Sequence, residues 1–225
     1  MRSGTREDLL AHLTEAITAV TPGHPTRVAI DGPPAAGKTT LGDELGAVLR
    51  AQGRQVIRVS IESFLYPRSR RYVRGADSPI ACYEDSFDFD NIHGVLLTPL
   101  GPGGDRQFRD TVYDNVADIP LAAPFEHAAP DTVLLFDGVF LMRPELIDGW
   151  DLRIFVSAAF EETIARGRVR DKELNGSADK AEARFRARYI PSQQRYFDTI
   201  KPTELADIVV HNDKPRQPSW EDRTR

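Results

Sequence analysis

Leu9, Leu10, Leu13, Ile17 and Val20 recur at helical spacing through the start of the chain, and Thr21-Pro22-Gly23 breaks the pattern. A helix is expected from Thr5 to Val20. Next comes a short apolar run, Arg27-Val28-Ala29-Ile30-Asp31, of the kind that forms a strand buried on both faces. A Gly-rich turn, Gly32 to Gly37, leads into a second helical pattern from Lys38 to Ala51 with Leu41, Leu45, Val48 and Leu49 inward. Gln55 to Ser60 reads as the next strand, completing a β-α-β unit with a parallel pair and a right-handed crossover.

The pattern then becomes irregular from Ile61 to Asp90, with a short helix expected at Asn91 to Thr98. Gln107 to Tyr113 and Asp118 to Ala122 suggest a small antiparallel hairpin. Thr132 to Phe136 is the most apolar strand and ends in Asp137-Gly138. Asp151 to Ser157 and Ala206 to Val210 read as further strands, separated by two charged helices at Phe160 to Leu174 and Ala178 to Thr199. Strands alternating with helices argue for a doubly wound α/β fold.

At 225 residues the chain suits one domain with an insertion at about 61–125, a helical lid at about 160–199 and a polar tail expected to fray from about 215 to 225. Composition narrows the partners. The net charge of −5 leaves no footprint for nucleic acid, while local clusters at Arg68 to Arg74 and Arg166 to Arg170 suit a small anion. No apolar run approaches a membrane span, and nothing resembles a signal peptide. The single cysteine, Cys82, rules out an intrachain disulfide. A cytoplasmic protein is expected; a homo-oligomer is compatible with the sequence.

The strongest chemical signal is Gly32-Pro33-Pro34-Ala35-Ala36-Gly37-Lys38-Thr39, which fits G-x-x-x-x-G-K-[ST] between a strand and a helix. In such a loop the backbone N–H groups point at phosphate oxygens and the following helix presents its positive end to the same anion. Gly32, Ala35, Ala36, Gly37, Lys38, Thr39 and Thr40 are therefore candidate nucleotide contacts. Lys38 is placed for the β- and γ-phosphates, and Thr39 for Mg²⁺. Asp137, ending an apolar strand, is the second candidate metal ligand. A P-loop NTPase fold is expected, with ATP and Mg²⁺ as cofactors. The guanine-reading N-K-x-D segment of GTPases is absent, since Asn212-Asp213-Lys214 has the wrong order.

The ordered set of segments resembles the uridine kinase and phosphoribulokinase family of P-loop kinases, with bacterial uridine-kinase-like proteins the nearest type. It comprises the phosphate loop with Thr40-Leu41, Ser60-Ile61-Glu62-Ser63-Phe64, Tyr83 to Asp88, Val112-Tyr113-Asp114, Phe136 to Val139, Asp151 to Val156, Arg166 to Asp171, and Ala206-Asp207 with Asn212-Asp213. The resemblance implies a five-stranded parallel sheet flanked by helices, a β-hairpin over the acceptor and a mobile lid. It implies phosphotransfer from ATP to a sugar hydroxyl of a small-molecule acceptor. The carboxylate after the second strand, usually Asp in that family, takes the hydroxyl proton and helps hold the metal; here it is Glu62, one methylene longer. Arg166 and Arg170, four apart on one helix face, are expected on the transferred phosphoryl group. Asn212 is expected near the nucleotide. Tyr83, Asp85, Arg109, Tyr113 and Asp114 are expected around the acceptor. Asp118 falls where a pyrimidine-reading histidine is expected, which argues against uridine. Pantothenate or a sugar phosphate as acceptor, and a non-catalytic ATP-binding regulator, remain alternatives.

Overall fold

The computed structural model describes residues 1–223. Its main sheet has seven strands, β1 (Arg2–Ser3), β2 (Thr26–Asp31), β3 (Val56–Ser60), β8 (Val133–Gly138), β9 (Leu152–Ser157), β10 (Ile208–His211) and β11 (Ser219–Asp222), in the order β1-β11-β10-β9-β2-β8-β3. The four short strands between β3 and β8 are β4 (Gln107–Phe108), β5 (Tyr113–Asp114), β6 (Ile119–Pro120) and β7 (Glu126–His127). The run β10-β9-β2-β8-β3 is parallel throughout, which is the expected five-stranded core. Two antiparallel strands extend it at the β10 edge.

Period-two alternation along the central strands sorts their side chains onto two covered faces. Val28, Ile30, Val133, Leu135, Ile154 and Val156 pack beneath helices α1 (Arg6–Ala19) and α2 (Lys38–Ala51), against Leu9, Leu13, Ile17, Leu41, Leu45 and Leu49. Ala29, Leu134, Phe136 and Phe155 point the other way, onto Phe64, Ile92, Leu96, Phe140 and Tyr196. Each fully buried side chain of this size contributes about 1.5–3 kcal/mol. Thr5 starts α1 with a capping box: its hydroxyl accepts from Asp8 N, while the Asp8 carboxylate accepts from Thr5 N.

Parallel register is set at the strand entrances by two matching devices. The Arg27 backbone and guanidinium both donate to Asp151, and those of Arg153 donate to Asp207. Each pair joins the first turns of neighbouring strands with a bidentate, charge-assisted contact.

Three expectations change. The tail does not fray from 215: β11 pairs with both β10 and β1, and Trp220 is buried against the α1 face. An edge strand gains ladder hydrogen bonds and a large apolar side chain, which outweighs the polar composition; Thr224 and Arg225 lie outside the described residues. The hairpin is tighter than expected, with β5 paired to β6, while Gln107–Phe108 instead pairs with β7. The helices after β9 break into Phe160–Arg170, Lys172–Asn175, Ala178–Arg184 and Ile190–Ile200, with a π-helical turn at Phe185–Tyr189.

Candidate active site

Strand β2 ends in Asp31, and the chain turns through a loop whose backbone conformations account for its glycines. Gly32 has φ +147° and Gly37 has φ +97°, and a Cβ on Gly32 would lie 2.2 Å from the Val156 carbonyl oxygen. Gly37 is the N-cap of α2 and offers no capping side chain, so the first amides of the helix face the loop's concavity. Lys38 folds back over it, with Nζ donating to Pro33 O at 2.7 Å. Lys38 is buried, not at the surface as a phosphate-facing lysine suggests, and burial lowers its pKa to about 8 against the opposing pull of Asp137 and Asp31.

Thr39 Oγ1 donates to Asp137 Oδ2 at 2.8 Å. The hydroxyl and carboxylate expected to share a metal therefore do meet, one from the start of α2 and one from β8. The other oxygen of Asp137 is held by Arg58 Nη2 at 2.8 Å, and Arg58 also donates to Leu135 O and Asp43. Arg58 lies in β3 facing α2, where Gly42 leaves it room: a Cβ there would sit 2.8 Å from Arg58 Cζ. An arginine within an apolar strand, opposite glycines one helical turn apart at 42 and 46, was the sequence signal for this contact.

Asp31 was also not anticipated. It is fully buried, its Oδ1 accepts from Gly32 N at 2.7 Å, and its Oδ2 accepts from the Tyr196 hydroxyl at 2.5 Å. That hydroxyl in turn accepts from Met142 N at 2.9 Å. Burial pushes Asp31 up to about pKa 6, with the Tyr196 hydrogen bond the chief opposing influence. The entrance to the phosphate loop is thereby tied to the Ile190–Ile200 helix.

A cavity of about 620 Å³ opens beside the loop, lined by Ala35, Gly37, Lys38, Thr39, Thr40, Arg166, Arg170 and Asn212 among others. Arg166 donates to the carbonyls of Asn212 and Asp213, both at 2.9 Å. Arg170 is held by Asp171, whose hydrogen bonds favour the charged guanidinium. Arg168 turns away to Asp179 and Glu182, as its place on the helix dictates. Asn212 Nδ2 donates to Ala36 O at 2.7 Å, leaving its buried Oδ1 without a partner among the described residues. Glu62 lies in the first turn of the short helix Ile61–Phe64 and is exposed; its charge acts on both Lys38 and Arg170, and Asn115 at the hairpin tip donates to it at 3.2 Å. Asn115 was missed because only the hairpin's fold brings it over β3.

The residues expected around the acceptor each have partners within the protein. Tyr83 is buried against Phe140 and Tyr196, with Arg143 over its ring. Asp85 pairs with Arg74, and Arg109 stacks on Phe125. Asp114 closes the hairpin by accepting from Val116 N and Ala117 N. Tyr113 is buried and donates to Asp118, which also accepts from Arg68 N and lies 3.5 Å from Arg71. Asp118, with φ +61°, is thus a pivot between the hairpin and the Arg68–Arg71 turn, and the Tyr113 hydrogen bond holds its pKa low. All of these contacts fall on Asp118 Oδ1. Arg188 is buried and donates to Ala76 O and Ser78 O.

No family model matches the chain. It is 28% identical to the uridine kinase of Chlamydia pneumoniae over 188 residues, covering 82% of this chain and 80% of that one. A possible uridine kinase from Bacillus stearothermophilus superposes with a TM-score of 0.70 at 23% identity, covering 90% of this chain and 97% of that one. D-glycerate 3-kinase from Cryptococcus neoformans gives 0.63 at 14% identity, covering 96% and 97%. At those identities the two structural matches speak for the fold. No helix among the described residues is long and apolar enough to cross a membrane. By sequence and fold together, the chain is similar to the uridine kinase-like P-loop kinases.

Proposed function

We propose that this protein transfers the γ-phosphate of Mg²⁺-ATP to a hydroxyl of a small molecule, in the class of nucleosides and related sugars. The observation that carries this reading is the convergence of Lys38, the Thr39–Asp137 pair, Arg166 and Arg170 beside one phosphate loop, with Glu62 close enough to act on two of them. The chain fits a nucleotide: unpaired helix-start amides, an unpartnered buried Asn212 Oδ1 and a buried lysine surround a cavity of suitable size. It also fits Mg²⁺, a hard ion that keeps waters and substrate phosphate and needs only one or two protein oxygens. Bound there, Mg²⁺-ATP supplies the phosphoryl group and much of the charge neutralisation.

The chain's own residues do the rest. The loop amides and Lys38 hold phosphate oxygens. Thr39 and Asp137 offer the hydroxyl and the carboxylate, with Arg58 fixing the carboxylate's orientation. Glu62 accepts the acceptor's hydroxyl proton, steadied by Asn115, and its longer side chain reaches from the exposed end of β3. Arg166 and Arg170 neutralise charge on the phosphoryl oxygens as it passes between partners. In this reading residues at about 61–125 bind the acceptor and those at about 160–199 form the lid.

The acceptor is found by a panel: uridine, cytidine, pentoses, a sugar phosphate, pantothenate and, because the Cryptococcus neoformans enzyme shares the fold, D-glycerate. ADP release that rises with one acceptor class supports the proposal. ATP turnover indifferent to every acceptor, or ATP binding without turnover, refutes it in favour of a nucleotide-binding regulator.

A further inference from the structure

The cavity beside the phosphate loop does not end at the loop. Its far wall is built from Arg6 at the start of α1, Glu44 on α2, and Pro215 with Arg216 ahead of β11. Thr40 and Glu44 are one turn apart on the same face of α2, so the wall continues outward from the loop. Arg6 and Glu44 form a tight pair: Arg6 Nε and Nη2 lie 2.7 and 2.6 Å from the same carboxylate oxygen, Glu44 Oε2. Glu44 Oε1 has no hydrogen-bond partner among the described residues, and Arg6 Nη1 is buried with none. The pair therefore holds Glu44 in place and leaves one carboxylate oxygen as a fixed acceptor on the part of the wall beyond Thr40.

That end is where the nucleoside of a bound triphosphate must emerge. The loop amides and Lys38 take the phosphates, and the reacting end faces Asp137 and Glu62. Past the α-phosphate comes the ribose, whose vicinal hydroxyls are both donors and acceptors. A carboxylate held beside such a diol accepts its protons, as acidic residues do for the ribose of dinucleotides.

We infer that Glu44, positioned by Arg6, reads the ribose hydroxyls of the phosphate donor, so that the donor site selects ribonucleotides over deoxyribonucleotides. This rests on the nucleotide-binding reading above and adds to it a specificity-determining pair contributed by α1 and α2.

The test is equilibrium binding, by calorimetry in Mg²⁺, of ATP, 2′-deoxy-ATP and 3′-deoxy-ATP to the full chain, with thermal melts to check each variant's fold. The wild type is expected to bind ATP about 10–150-fold more tightly than at least one deoxy analogue, the size of one hydrogen bond to a charged group. In Glu44→Ala that ratio should fall to about 1 through weakened ATP binding, with the deoxy analogue bound within about twofold of wild type. Glu44→Gln keeps an acceptor and should retain part of the ratio. Arg6→Ala should lower it by releasing Glu44. Equal wild-type affinity for all three nucleotides overturns the inference, as does a ratio unchanged in Glu44→Ala. Failure of the wild type to bind ATP at all instead removes the nucleotide reading, and this inference with it.

Discussion

Replacing Tyr196 by Phe removes one oxygen atom and disturbs two buried groups at once. The hydroxyl donates to Asp31 Oδ2 at 2.5 Å and accepts from Met142 N at 2.9 Å, inside a cluster where the ring also meets Phe140 and Tyr83. Phe keeps the ring contacts, so the loss is polar: a carboxylate short of a donor and an amide short of an acceptor, together about 3–5 kcal/mol at neutral pH. The penalty also depends on pH in a direction that can be worked out. Asp31 has a folded pKa of about 6 against 3.8 for the free group, so the folded state binds the proton more readily than the unfolded one. Its contribution to stability is therefore greatest at low pH and is lost as pH rises through about 4 to 6. Tyr196 is the chief group holding that pKa down, so the Phe variant moves it further up and extends the loss to higher pH. Urea unfolding of both proteins should show a clearly larger difference at about pH 8 than at about pH 5. A difference equal at the two pH values, or below about 1 kcal/mol at both, would refute the assignment of Asp31 as a buried carboxylate sustained by Tyr196.

Lys38→Ala should keep the fold and lose phosphotransfer, because the loop backbone rather than the ammonium shapes the site; full turnover in the folded variant would reject the site. Glu62→Gln should bind ATP normally and lose on the order of 100-fold or more in kcat, whereas Glu62→Asp should recover part of it. A Gln variant with wild-type turnover would move the base elsewhere. Trp220→Ala should lower stability by about 3 kcal/mol, read as a drop in the urea midpoint, because the indole is buried beneath α1 rather than frayed. No change in the midpoint would show that β11 is not anchored.

The parallel core and the phosphate loop were legible because their signals are local. An apolar strand, a fixed-spacing loop and a helix are contiguous in sequence, and Asp137 closes a strand that needs no partner to be recognised. The acceptor region was not legible in the same way. Tyr83, Asp85, Arg109, Tyr113, Asp114 and Asp118 are residue types equally suited to recognising a ligand and to holding a loop together. Only the folded hairpin shows that Asp114 closes its turn and Asp118 takes the Tyr113 hydroxyl. Arg58, Asp31 and Arg6 escaped for a related reason: each works through a partner 38 or more residues away, as Arg6 does with Glu44. The tail was misjudged because its polar, proline-bearing composition carries less weight than one buried tryptophan and a free strand edge.

Gly167 stands between the two arginines of the cavity, and the aromatic ring of Phe185 fills the space where its side chain would be: a Cβ there would lie 2.1 Å from Phe185 Cζ. The helix Phe160–Arg170 therefore lies flush on the turn at Phe185–Tyr189, with no slack for one to slide over the other. Any swing of this part of the chain must carry both as one lever arm, hinged at its ends. Arg166 and Arg170 are then carried by one rigid unit, so neither can be displaced without the other.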